Sequence, residues 1–325
     1  MRTVKGENVE STDPVETVSA EADGRSWSSQ QRLDNPGRRS AWERQLRRVA
    51  RSGLVRLSQP TYRARMLPDF LIVGAQRCGT TSMFGVLSQH PAIFSSVHNK
   101  KELRFFDDEY ARGLPWYQSH FPVRARARAT SRDTGIEPVA FEGSPYYMFH
   151  PLAPERIARA LPEVRLIVMV RDPVERAYSQ HAHQVIRGLE TESFERALEL
   201  EDSRIDGEAE RMASNPGYVS RPHRLYTYRT RGQYAEQLEH LETLFGRDRI
   251  HVVDCGDFFA DPGPDYDRVL KFLGLPALGQ PEFEPRNARP RSPIPQELQA
   301  KLDEHFLPYD ERLATWLERT PSWRR

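Results

Sequence analysis

Cysteine is scarce in this sequence. Two residues, Cys78 and Cys255, exclude a disulfide framework as the source of stability. Long apolar runs are missing too. The longest are of strand length, against the roughly 20 residues a membrane-spanning helix needs. The amino-terminal MRTVKGENVESTDPVE lacks the apolar core of a secretion signal. With few cysteines and no leader or anchor, the expected location is the cytoplasm. Excess charge of one sign is absent: 47 Lys and Arg face 46 Asp and Glu, a net +1. Overall charge therefore argues against a nucleic-acid partner. No Cys, His or acid cluster has tight ligand spacing, so no metal is expected. His98, His120, His150, His181 and His183 read as surface or packing residues. No internal repeat is visible.

What is present centres on Asp69 to His90, DFLIVGAQRCGTTSMFGVLSQH. Phe70 to Val73 form a short apolar run that predicts a buried strand. Gly74 and Gly79 bracket a tight loop. Thr80, Thr81 and Ser82 open a segment with Met83, Phe84, Val86 and Leu87 at helical spacing. Strand, glycine loop and helix make an anion site, because backbone N–H groups and the helix dipole converge on one point. The spacing is close to the nucleotide-triphosphatase loop, but Thr80 stands where that loop has lysine. The nearest cation within the loop is Arg77. An anion still fits, though not one clamped in the manner of ATP.

The rest of the chain alternates strands and helices. Val139–Glu142, Arg165–Val170 and Arg249–Cys255 read as strands. Helices are expected over 154–161, from Asp172 as cap with Pro173 in the first turn, and over 193–201, 233–245 and 266–273. Two more are expected at the C-terminus, 296–307 and 310–318. Residues 124–138 read as an exposed loop and 202–222 as a mobile insertion. This pattern predicts an α/β fold, a doubly wound and mostly parallel sheet with helices on both faces. Residues 1–37 are polar and read as disordered. Residues 38–67 are a basic helical lead-in. The stretch 38–66 would either touch an acidic membrane surface or partner or lie solvated against the folded domain, which runs from 68 to 325.

Three constellations carry chemistry. The first is the loop. The second is VRDPVERAYS, with Arg171 directly after a buried strand and Ser179 two turns into the following helix. A guanidinium fork and a hydroxyl suit a phosphate, although Arg171 could equally pair with Asp172 or Glu175. The third is KKELRFFD, where Glu102 sits among cations and before two aromatics. It would be a surface ion pair or a general base.

Taken together, these segments resemble the P-loop sulfotransferases that use 3′-phosphoadenylyl sulfate (PAPS), in the heparan sulfate sulfotransferase-like branch and its bacterial relatives. The resemblance runs from about 68 to 320. It implies that Gly74, Arg77, Cys78, Gly79, Thr80, Thr81 and Ser82 hold the 5′-phosphosulfate and that Arg171 and Ser179 hold the 3′-phosphate. It implies that Glu102 is the catalytic base and that Arg77 stabilises charge on the leaving group. The implied acceptor is a hydroxyl or amine of a carbohydrate, glycolipid or small molecule. EGSPYY (142–147) would lie beside substrate, and Asn287, Arg289 and Arg291 are candidates to close over the nucleotide. Two alternatives remain at this point: an ATP-dependent small-molecule kinase, and a non-catalytic nucleotide-binding protein.

Overall fold

The computed structural model describes residues 58–97, 100–279, 281–283 and 293–325. The expectations for residues 1–57, His98, Asn287, Arg289 and Arg291 lie outside the described residues. The described end of the basic segment is a 3-10 turn, Gln59–Ala64.

Five strands form one parallel sheet: β1 (Phe70–Gly74), β2 (Ile93–Phe94), β3 (Val139–Gly143), β4 (Arg165–Val170) and β5 (Ile250–Asp254). Their order is β2-β3-β1-β4-β5. The expected doubly wound α/β architecture holds. Every residue of β1 is buried, which an apolar central strand achieves only when both faces of the sheet are covered. Phe70 lies opposite Phe141 of β3, and their rings stack at 4.9 Å. Phe84, from helix α1 (Thr80–Leu87), closes the same stack at 4.8 Å. Each such side chain contributes roughly 1.5–3 kcal/mol by burial.

The chain leaves β1 for the sheet edge at β2, returns to β3, then crosses to β4 and β5 on the other side. The order reverses at β1, and ligands of open parallel sheets bind at the carboxyl end of the strands at such a point. Helices α2 (Ala153–Ala160), α3 (Pro173–Ile186), α4 (Tyr234–Phe245), α5 (Pro262–Leu273) and α6 (Gln296–Leu317) carry the expected apolar stripes. The stripe of α4, through Tyr234, Leu238, Leu241 and Phe245, is buried, and this helix packs on α2 and α6.

Three expectations are corrected. The stretch 124–138 is not a loop: Arg124–Ser131 is helical and a 3-10 turn follows. Arg and Ala are both strong helix formers, and Ala127 and Ser131, one turn apart, are buried. Residues 202–222 are not a mobile insertion. Helices Glu201–Ile205, Glu208–Ser214 and Arg221–Leu225 occupy that region. Its anchors include buried carboxylates beside the apolar Met212. Glu201 accepts hydrogen bonds from the N–H groups of Arg229 and Thr230, and Glu208 from the Tyr218 and Ser220 hydroxyls. Finally, the two C-terminal helices are one. Pro308 lies inside α6, where buried Phe306 and Asp310 on either side keep it continuous despite the lost backbone bond.

Phe141→Ala should cost about 3–5 kcal/mol by emptying the ring stack under β1. A urea transition shifted to lower midpoint with unchanged slope would show it; a midpoint within error of the wild type would contradict the packing described.

Candidate active site

The loop after β1 folds as its glycines require. Gly79 is the N-cap of α1 at φ +79°, in the left-handed region. A Cβ there would also come within 3.1 Å of the Phe259 ring and 3.2 Å of Cys255 Sγ. Gly79 has no side chain to cap the first N–H groups of α1, and Gly79, Thr80 and Thr81 line an open cleft. That cleft, of about 1270 Å³, runs along the carboxyl ends of the strands. Arg77, Gly79, Thr80 and Thr81 line it, together with Glu102, Arg171 and Ser179. Gly74, Cys78 and Ser82 do not reach its wall. Gly74 ends β1, Ser82 is buried in α1, and Cys78 lies beneath the loop, 3.5 Å from the Tyr234 hydroxyl. Burial pushes the Cys78 thiol above its ordinary value, so it supports the loop as an uncharged filler.

The lysine missing from the loop is supplied by another segment. Lys101 Nζ donates to Thr80 Oγ1 at 2.8 Å and to Thr81 Oγ1 at 3.2 Å. Burial pushes its pKa down to about 8; the neighbouring Glu102 opposes that shift and Arg77 adds to it. Glu102 Oε1 lies 3.9 Å from the same ammonium, with its side chain 47% exposed toward the cleft. The sequence had offered Lys101 only as a charged neighbour of Glu102. The usable signal was a lysine beside a candidate base in a chain whose loop lacks one.

Glu142 sets this arrangement. It is fully buried and accepts from Leu103 N–H at 3.0 Å, Tyr117 OH at 3.0 Å, Tyr147 OH at 2.8 Å and Ser144 Oγ at 3.0 Å. Burial raises its pKa despite these donors. Gly143 then donates its N–H to the Lys101 carbonyl at 2.9 Å. A Cβ on Gly143 would sit 3.3 Å from the Lys101 stem, so the glycine permits the close approach. Tyr117 therefore belongs to the buried support and not to the cleft wall; its ring stacks on Phe105 at 4.5 Å.

The two anion sites read separately in the sequence touch. Arg77 Nε donates to Ser179 Oγ at 3.0 Å across 102 residues of chain. Asp172 caps α3 as expected, accepting from Val174 and Glu175 N–H groups. Arg171 pairs with Glu175 at 2.9 Å. Both partners are about a third exposed, so that pair is worth at most about 1 kcal/mol.

Two further arginines lie beneath the loop. Arg231 and Arg176 are fully buried. Arg231 donates to Gln76 of the cleft wall and to the His223 and Arg224 carbonyls; Arg176 donates to Gln180 at 2.7 Å and to the Tyr228 carbonyl. Burial pushes Arg231 down to about 10, and Arg176 repels it. Neither is held by a carboxylate hydrogen bond among the described contacts, so both leave positive charge under the site. The end of β5 also joins the cleft through Cys255, Gly256 and Phe259. So does Ser322, held by Asp254 through its N–H and its hydroxyl, both at 2.7 Å. Among the described residues, no three His, Cys, Asp or Glu side chains converge as metal ligands.

A family profile described as "Sulfotransferase domain" matches residues 67–287. The chain belongs to the sulfotransferase family. Its sulfotransferase domain is similar to a solved sulfotransferase from Alicyclobacillus acidocaldarius, at 29% identity and a TM-score of 0.63, covering 80% of this chain and 100% of that one. It is 25% identical to the membrane-associated sulfotransferase kil1 of Dictyostelium discoideum, over 79% of this chain and 66% of the relative. It is 31% identical to the human bifunctional heparan sulfate N-deacetylase/N-sulfotransferase 3, over 64% of this chain but only 22% of that protein. The chain thus spans less than two thirds of these two relatives' length. The cytoplasmic location expected from composition is corrected by the first of them, a membrane-associated enzyme. Among the described residues no helix is long and apolar enough to cross a membrane.

Lys101 is charged below about pH 8 and neutral above it. Affinity for 3′,5′-bisphosphoadenosine should therefore be full below pH 8 and fall as pH rises past it. Lys101→Arg, charged throughout, should flatten that profile, and Lys101→Ala should weaken binding about 10- to 100-fold at pH 7. Calorimetric titrations from pH 6 to 9.5 test this; an identical slope in wild type and Lys101→Arg would remove Lys101 from the anion site.

Proposed function

We propose that this chain is a PAPS-dependent sulfotransferase, with a catalytic domain over 68–325, that sulfates a hydroxyl or amine of a carbohydrate, glycolipid or small molecule. The observation that carries the reading is the position of Glu102. It stands 3.9 Å from the ammonium that holds Thr80 and Thr81, at the edge of a cleft with a second cationic site at Arg171 and Ser179. A donor with phosphates at both its 5′ and 3′ positions suits two such sites, and ATP has no use for the second. The donor set fits: backbone N–H groups and threonine hydroxyls at the loop, a guanidinium and a hydroxyl on α3.

PAPS supplies an activated sulfuryl group. Glu102 takes the proton from the acceptor as the acceptor's oxygen or nitrogen bonds to sulfur. The bond from sulfur to the oxygen that bridges it to the 5′-phosphate breaks, and the electron pair stays on that oxygen. Arg77 and Lys101 meet the charge that grows there, which favours the transition state over the bound donor. Arg77 cannot readily give up a proton. Lys101, with its pKa pushed down to about 8, is the better donor to the departing phosphate. Arg171 and Ser179 hold the 3′-phosphate and fix the nucleotide's register. Arg176 and Arg231 add fixed positive charge from beneath. The basic stretch 38–66 is a candidate contact with an acidic membrane surface.

Glu102→Gln should cut turnover about 10²-fold or more with little change in bisphosphate affinity. Unchanged turnover would remove Glu102 as base. Arg171→Ala should weaken bisphosphate binding by an order of magnitude or more while the thermal midpoint stays near wild type; equal affinity would refute the 3′-phosphate site.

A further inference from the structure

The far arm of the cleft has a different character from the loop end. Tyr178, Ala182, Val185 and Ile186 recur at i, i+4, i+7 and i+8 on α3 and so form one stripe along its cleft-facing side. Val185 is 44% and Ile186 61% exposed. Large aliphatic side chains in water are ordinary when scattered. These two line the same cleft as Phe194, whose ring is packed against its neighbours. Its ring lies 5.0 Å from Tyr178 and 5.3 Å from His181, and His181 Nε2 is tied to the Glu192 carbonyl at 2.9 Å. The result is an aromatic floor with an aliphatic rim.

Charge is distributed unevenly along the same wall. Among the described residues that line the cleft, the Lys and Arg side chains are Arg77, Lys101 and Arg171. All three stand at the loop end, where the donor's phosphates would engage them. Among the described residues that line the distal arm, Tyr178, His181, Ala182, His183, Val185, Ile186 and Phe194, there are two histidines and no lysine or arginine. A polyanionic glycan needs a row of cations along its path, since a match of charge is what selects and steers such a ligand. An acceptor with a neutral, apolar body needs what this arm has.

We infer that the acceptor is an alcohol or amine carried on an uncharged apolar body, aryl or alkyl, seated along Tyr178, Ala182, Val185, Ile186 and Phe194 with its reactive group toward Glu102. The inference rests on the sulfotransferase reading and narrows its acceptor class. Transfer keeps the chemistry given above: the acceptor loses one proton to Glu102 and gains the sulfuryl group.

The test uses the full chain with PAPS and three acceptors: 2-naphthol, 1-dodecanol and N-desulfated heparin. Transfer to 2-naphthol or dodecanol should exceed transfer to the heparin derivative at least tenfold in kcat/KM. Ile186→Glu, at an exposed position, should lower kcat/KM for the better neutral acceptor about tenfold or more. Calorimetry on the same samples should show unchanged affinity for 3′,5′-bisphosphoadenosine. Preference for the heparin derivative, transfer to none of the three, or no effect of Ile186→Glu would overturn the acceptor assignment while the donor reading stands. Failure of the wild-type chain to bind the bisphosphate would overturn the donor reading, and the acceptor assignment with it.

Discussion

Glu142 is a carboxylate with no exposure to water, satisfied by three hydroxyls and one backbone N–H. The chemistry of the cleft depends on that buried group. The N–H belongs to Leu103, so the carboxylate fixes the two residues before it, Lys101 and Glu102, against the end of β3. The neighbouring backbone bond from Gly143 to the Lys101 carbonyl fixes their height above the sheet. A half-satisfied buried carboxylate would cost several kcal/mol, so the donors and the segment they hold must form together. One strand end thereby presents a cation to the loop and a carboxylate to the cleft.

Cations dominate the electrostatics of the site, and their burial decides how each acts. Arg77 and Arg171 reach the cleft wall. Lys101 is partly buried, which lowers its pKa to about 8 and makes its charge sensitive to pH. Arg176 and Arg231 are wholly buried and stay protonated, so their charge is permanent. Their hydrogen bonds go to carbonyl and amide oxygens, which solvate a guanidinium without neutralising it. Five cations thus gather at or beneath the site, although the chain as a whole carries a net charge of only +1.

Much of this was legible in the sequence, for identifiable reasons. β1 and β4 are unbroken apolar runs, and a central parallel strand has no other appearance. Asp172 and Pro173 announced the start of α3 through their cap chemistry, and Gly79 the turn into α1. Those local signals sufficed for the sheet and the loop, whereas Arg77, Thr80, Thr81, Arg171 and Ser179 were tied to one ligand by the family resemblance, and the structure shows them lining one cleft. Contacts between distant segments were not legible. Nothing local says that Arg77 meets Ser179, or that Lys101 reaches back 21 and 20 residues to the hydroxyls of Thr80 and Thr81. Glu142 stood in a recognised turn, but its role depends on Tyr117 and Tyr147 folding onto it. The helices of 202–222 are not announced locally, because composition cannot tell the buried carboxylates Glu201 and Glu208 from solvated ones. The helix at Arg124–Ser131 follows from the helix propensity of Arg and Ala, which the charge of the stretch masks.

The central claim is that the cleft holds a nucleotide with phosphates at two separate positions. Calorimetric binding of 3′,5′-bisphosphoadenosine against ATP, each with and without magnesium, tests it most directly. Tight binding of the bisphosphate, indifferent to magnesium, and weak binding of ATP in either condition are expected. Tighter binding of ATP, dependent on magnesium, would contradict it and would mean that Lys101 completes a triphosphate loop instead.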